Sequence, residues 1–158
     1  MNRVVIDTNV LVALVDSRDK WHVQARAILD ALEAYDAHVM YLDCVLNETI
    51  GVLARRSEEQ KRVGEFAGLL QAALRQAPET SIIWASLETY RLYGEIIALV
   101  KQTQGALNFH DALIALLCRE WETALLPSFD KDFDSISWLR RIETAQDIAD
   151  ALRLDSSG

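Results

Sequence analysis

Cysteine, histidine and glycine are too sparse and too scattered in this 158-residue chain to build several common kinds of site. The two cysteines, Cys44 and Cys118, both fall in apolar helical patterns and read as free buried thiols rather than a disulfide. No Cys/His cluster has zinc spacing, no glycine-rich loop could cradle a phosphate, and no Ser-His-Asp set is visible. No apolar run is long enough to span a bilayer, and no basic-then-apolar leader precedes the first strand. The expectation is a cytoplasmic protein with no membrane partner. Basic residues are the minority, 16 Lys and Arg against 24 Asp and Glu, for a net charge of −8. That deficit argues against a general nucleic-acid-coating protein. A nuclease stays open, because carboxylates that hold cations enter the count while the cations do not.

The remaining composition, 51% hydrophobic and 25% charged, is that of an ordinary folded protein. The length suits one domain that closes its core without staples. We expect that domain over residues 1–154 and a disordered tail over residues 155–158.

The chain is organised around its opening stretch. Val4-Val5-Ile6 is a β-branched run too short for a helix and reads as a buried strand. Asp7-Thr8-Asn9 then reads as a strand-to-helix turn with N-cap chemistry, leading into a helix from Val10 to Val15. Capping is one role for Asp7. The other follows from position, because a carboxylate at the carboxyl end of a buried strand sits where open α/β sheets bind ligands.

Asp16 to Asp19 breaks the first helix, and a second is expected to bury Val23, Ala27, Ile28 and Leu32. His38 to Leu42 reads as a strand, and Asp43 as the cap of a helix from Cys44 to about Arg56. On that helix Glu48 falls just beyond the apolar arc. After a polar turn, a helix through Leu74 ends before Pro78, Ser81 to Trp84 reads as a strand, and a helix follows over Leu87 to Lys101. Tyr90, Tyr93, Ile97 and Val100 are its expected packing residues. Between Arg55 and Gly105 no chemical motif stands out, and the segment reads as scaffold or partner surface.

Asn108 can cap the next helix, with Asp111 in its first turn, where the helix dipole favours an acid. This helix is apolar nearly all round until Arg119, which points to burial, and a buried carboxylate needs a partner. Thr123 to Pro127 is another strand that runs into a carboxylate-rich turn, Ser128 to Asp134, repeating the layout around Asp7. The turn lacks the Gly and trailing Glu of a calcium loop. A last strand is expected within Ser135 to Arg141 and a final helix from Thr144 through Leu152.

Strands alternating with helices imply an α/β fold with a mostly parallel sheet. In such a sheet Asp7, Glu48, Asp111 and Asp130 could meet at one edge. Like charges in one site raise each other's pKa, and no Lys or Arg is adjacent in sequence to Asp7, Glu48 or Asp111. Hard divalent cations would answer that repulsion.

These residues resemble the signature of PIN-domain ribonucleases: Val-Val-Ile-Asp7-Thr8-Asn9, Glu48 on the helix after the second strand, Asp111-Ala-Leu-Ile-Ala, and Ser128-Phe-Asp130-Lys-Asp132-Phe133. The order matches from about Arg3 to Arg141, and the compact size resembles the toxin halves of bacterial VapBC toxin–antitoxin pairs. The resemblance implies a PIN-like α/β/α sandwich with four to five short strands. It implies an Mg²⁺- or Mn²⁺-dependent endoribonuclease with Asp7, Glu48, Asp111 and Asp130 as acidic ligands. Thr8, Asn9 and Ser128 would orient ligands or water. Asp132 and Asp134 compete with Asp130 for the fourth position, with Asp134 as a helper if Asp130 fills it. A homodimer and a cognate antitoxin covering the acidic crevice are the implied partners. An RNA-processing nuclease outside a toxin pair, a metal-dependent phosphatase and a non-catalytic RNA- or protein-binding module are the alternatives.

Overall fold

The computed structural model describes residues 3–155, the last three by their backbone alone. Five short strands and seven α-helices occur among them. Strand β1 (Arg3–Val5) leads into α1 (Thr8–Val15), followed by α2 (His22–Ala34), β2 (His38–Leu42) and α3 (Asp43–Glu59). Then come α4 (Phe66–Gln76), β3 (Ile82–Ile83), α5 (Ser86–Gln102) and α6 (Phe109–Glu120). The chain continues through β4 (Leu125–Pro127), β5 (Arg140–Ile142) and α7 (Ala145–Asp155).

All strand pairs among the described residues are parallel. Strands β1, β2 and β3 form one ladder in that order, with Val5 opposite Met40 and Leu42 opposite Ile83, and β4 pairs with β5. The two ladders adjoin where the Asp7 N–H donates to the Pro127 carbonyl at 3.1 Å. The lateral order is therefore β3-β2-β1 beside β4-β5. Connections leave β1 toward one edge and β4 toward the other, and such a reversal opens a crevice at the strand carboxyl ends.

Periodicity locates the core elements well, because burial is extreme where the apolar runs are densest. Val4, Val5 and Ile6 are fully buried, and on α6 every residue from Ala112 to Cys118 is buried. Cys44 and Cys118 are free, buried thiols, and burial pushes both up to about 12.

Where a helix carries apolar residues on two sides, the choice of face differs from expectation. Helix α2 buries Ala25, Ile28, Leu29 and Leu32, whereas Val23 and Ala27 face outward. Helix α5 packs on α6 through Leu92, Ile96 and Leu99 and leaves Tyr90 87% and Tyr93 61% exposed. Boundaries shift too. Asp43 is the first residue of α3 rather than its cap, its carboxylate accepting the Cys44 and Ala85 N–H groups, and α3 runs on to Glu59. The last strand lies at 140–142, because residues 131–135 coil into a 3₁₀ turn. Helix α7 continues to Asp155, and the rest of the expected tail, 156–158, lies outside the described residues.

Candidate metal-binding cleft

Three of the four expected acids begin their own local structures. Asp7 caps α1, its Oδ1 accepting the Thr8 N–H at 2.8 Å. Asp111 closes a capping box with Asn108: its Oδ2 accepts the Asn108 N–H at 2.9 Å, while Asn108 Oδ1 accepts the Asp111 N–H at 3.0 Å. Asp130 caps the 3₁₀ turn through Oδ1 and the Asp132 N–H at 2.9 Å. Capping and convergence turn out to be compatible. Asp7, Glu48, Asp111 and Asp130 all line one cleft of about 230 Å³ at the crevice between β1 and β4.

Polar neighbours fix the carboxylates. Ser128 Oγ donates to Asp7 Oδ2 at 2.6 Å and itself accepts the Asp130 N–H at 3.0 Å. The Phe129 N–H donates to Asn9 Oδ1 at 3.1 Å, which turns Asn9 Nδ2 toward Ser128 Oγ at 3.4 Å. Thr8 Oγ1 donates to Glu48 Oε2 at 3.2 Å. One connected network thus joins the turn after β1, the turn after β4 and helix α3.

Burial, with neighbouring acids adding to it, raises two of these carboxyls. Burial pushes the Asp7 carboxyl up to about 7, the Ser128 hydrogen bond opposes that rise, and the Asp111 and Glu48 charges add to it. Asp111 is also raised, by burial first and then by Asp130 and Glu48. Arg55 and Arg56 line the same cleft, a closeness that sequence adjacency hides. Spacing along α3 carries the signal, since Glu48, Val52 and Arg55 fall on one helical face. Neither arginine neutralises the acids: Arg56 pairs with Asp19 at 2.5 Å, and Arg55 approaches Glu59 at 4.0 Å.

Asp134 is not among the cleft residues. It pairs with Arg141 at 2.7 and 3.2 Å. Asp132 lines a different groove, next to Lys131 and Trp138. Asn108 and Val12 join the cleft wall, neither of them anticipated there.

The match to known proteins follows the same stretch of chain. The family model of the PIN domain matches residues 4–139. This chain is a PIN-domain protein. Solved structures similar to this PIN domain include the following two. One is Mycobacterium tuberculosis VapC20, a sarcin–ricin-loop-cleaving toxin: 23% identity, 85% of this chain and 95% of that one covered, TM-score 0.63. The other is VapBC2 from Rickettsia felis bound to a DNA fragment from their promoter: 21% identity, 89% and 97% covered, TM-score 0.64. At these identities the likeness is one of fold, an α/β/α sandwich around a parallel sheet. No curated protein matches the sequence.

The donor set suits a hard cation. Asp111 Oδ1, Asp130 Oδ2 and Glu48 Oε1 have no hydrogen-bond partner among the described residues, so three carboxylate oxygens at the cleft are uncommitted. Among the described residues no three or more His, Cys, Asp or Glu side chains stand close enough together to hold a metal ion. Magnesium tolerates that arrangement, because it keeps several waters and binds through few carboxylates together with substrate phosphate.

Proposed function

We propose that this PIN domain is an Mg²⁺- or Mn²⁺-dependent endoribonuclease that hydrolyses RNA phosphodiester bonds, acting as the toxin of a VapBC-type pair in the cytoplasm. The observation that carries this reading is the arrival of Asp7, Glu48, Asp111 and Asp130 in one cleft with no cationic side chain among the described residues paired to any of them. A bound divalent cation would polarise the phosphodiester and supply hydroxide from water. Asp111, Asp130 and Glu48 offer their uncommitted oxygens to it, and Asp7 offers the carboxylate that Ser128 and the Thr8 N–H hold in place. Thr8 sets the Glu48 rotamer, and Asn9 steadies Ser128. Exposed Arg55, on the cleft wall, can face a substrate phosphate.

A haloacid-type phosphatase finds no support. Its second acid would stand two residues after Asp7, and Asn9 there is committed to Ser128 and Phe129. The toxin role draws support from the likeness to VapC20, and an antitoxin partner from the likeness to VapBC2; such a partner would cover the cleft.

The expected homodimer has a surface to use. Leu87, Tyr90, Tyr93 and Ile97 stand exposed along α5. Antiparallel packing of two copies of α5 would bury that stripe.

The test is cleavage of single-stranded RNA by the metal-replete protein. Wild type should cleave, chelation should stop it, and Asp111→Asn should lose about 10³-fold or more in rate while its circular dichroism is unchanged. A folded, metal-loaded wild type that leaves RNA intact, or an Asp111→Asn protein that cleaves at the wild-type rate, would overturn the reading.

A further inference from the structure

A second depression, of about 400 Å³, adjoins the acidic cleft and shares Asn9 and Arg56 with it. Arg18, Lys20, Trp21 and Gln60 complete most of its wall. We propose that this groove carries the single-stranded RNA flanking the scissile bond, with phosphates on Arg18, Lys20 and Arg56 and a base against Trp21. The proposal rests on the ribonuclease reading and extends it to the path of the substrate.

The charge arrangement is the first argument. In a chain of net charge −8, three cations gather here beside the cleft. Of the acids of the same loop, Asp16 is turned inward, and Asp19 lines the groove as the partner of Arg56. Asp16 is buried in a pair with Arg62, and the Asp19 side chain, 5% exposed, accepts from Arg56 and from the Trp21 N–H. Arg56 keeps 34% of its side chain exposed above that pair. Outside the lining residues, Glu65 binds Arg18 at 3.0 Å, with both side chains about half or more exposed. Exposed pairs of this kind are weak and yield to a phosphate.

The aromatic wall is the second argument. Trp21 stacks on Phe129 with ring centroids 4.9 Å apart and planes 15° apart. Phe129 lies between Ser128 and Asp130, so the indole is braced against the turn that supplies a cleft carboxylate. Lys20 Nζ lies 5.0 Å from the Trp21 ring, on a flexible stem that can reach a phosphate. Alternating cationic and aromatic groups are how proteins follow a single strand: charge tracks the backbone and rings stack bases. A run of Asp and Glu would meet the cations but has no ring to stack on Trp21, which favours RNA.

The experiment uses the full chain and a fluorescein-labelled single-stranded RNA of about 12 nucleotides, within the span that such grooves cover. Binding is measured by anisotropy in the Asp111→Asn background, with and without Arg18→Ala/Lys20→Ala, from about 50 to about 300 mM NaCl, a range over which phosphate neutralisation shows in the salt slope. Cleavage kinetics are measured with Arg18→Ala/Lys20→Ala in the otherwise native, Mn²⁺-loaded protein. The expected result is affinity about tenfold weaker at about 0.1 M salt, with the log–log salt slope shallower by about 0.7 for each phosphate no longer neutralised. KM should rise about tenfold while kcat moves less than about twofold. Unchanged affinity, salt slope and KM in a protein that still cleaves RNA would overturn the groove and leave the nuclease reading standing. A wild type that binds RNA through these residues without cleaving it would overturn the nuclease reading alone. Tight binding of poly-glutamate with no binding of RNA would overturn the proposal in favour of a protein partner.

Discussion

Ser128 Oγ donates to Asp7 Oδ2 at 2.6 Å across 121 positions of sequence, in a buried setting. The bond spans the point where the two ladders meet, and it opposes the rise that burial imposes on the Asp7 carboxyl. We expect Ser128→Ala to push Asp7 further up and to move the acidic limb of the pH–rate profile to higher pH. Leaving the carboxylate without its donor should destabilise the protein by about 1–3 kcal/mol. Ser128→Thr, which keeps the hydroxyl, should restore both the profile and the melting temperature.

Metal-free protein should lose stability as pH rises. Asp7 sits at about 7 in the fold against 3.8 for an ordinary aspartate, so the folded state holds the proton more tightly. That contribution is complete below about pH 4 and disappears as pH rises through about 7, with a ceiling of roughly 4 kcal/mol. Asp111 is shifted in the same direction. In EDTA, urea denaturation at pH 5 and pH 8 should show wild type losing more stability than Asp7→Asn. Adding Mn²⁺ at pH 8 should recover the loss in wild type and little of it in the variant.

The buried Asp16–Arg62 pair braces the end of α1 against the chain after α3, with hydrogen bonds of 2.5 and 3.1 Å. Arg62→Ala leaves Asp16 buried without its partner, and the expected cost is about 3–5 kcal/mol at pH 7. Arg62 holds the Asp16 carboxyl below its usual range. The wild-type pair therefore contributes above the ordinary carboxylate pKa and fades as pH falls through the lowered one. Chemical denaturation of both proteins from pH 7 to pH 3 should show their stabilities converging in acid.

Self-association through α5 makes a separate prediction. Tyr90→Glu with Ile97→Glu places charge on an exposed stripe, so monomer stability should change by no more than about 0.5 kcal/mol. Light scattering should report a dimer for wild type and a monomer for the double variant. A wild-type monomer at concentrations of tens of micromolar would refute this interface.

Much of this fold is legible in the sequence wherever a single local signal decides the outcome. The β-branched run before Asp7, the apolar helix after Asn108 and the strand before Ser128 each have one reading, and each lies where that reading puts it. Helix α5 has two apolar stripes of similar strength, Leu92-Ile96-Leu99 and Leu87-Tyr90-Ile97. Only the arrival of α6 selects the first. Val23 faces outward for the same reason, because α2 buries the arc through Ala25, Leu29 and Leu32. Order and caps suffice to name the acids, but not the arginines on their flank. Arg55 and Arg56 reach the cleft by helical spacing from Glu48, and Asp134 leaves it because Arg141 on β5 holds it.

We propose that the crowded carboxylates of this cleft hold a divalent cation. The most direct measurement is anomalous scattering from crystals of the protein grown with Mn²⁺. The expected result is a peak in the cleft within about 2.0–2.4 Å of oxygens from Asp111 and at least one of Asp7, Glu48 and Asp130. The contradicting result is a cleft without a peak at saturating Mn²⁺ and pH 8, its carboxylates bound only to their own turns.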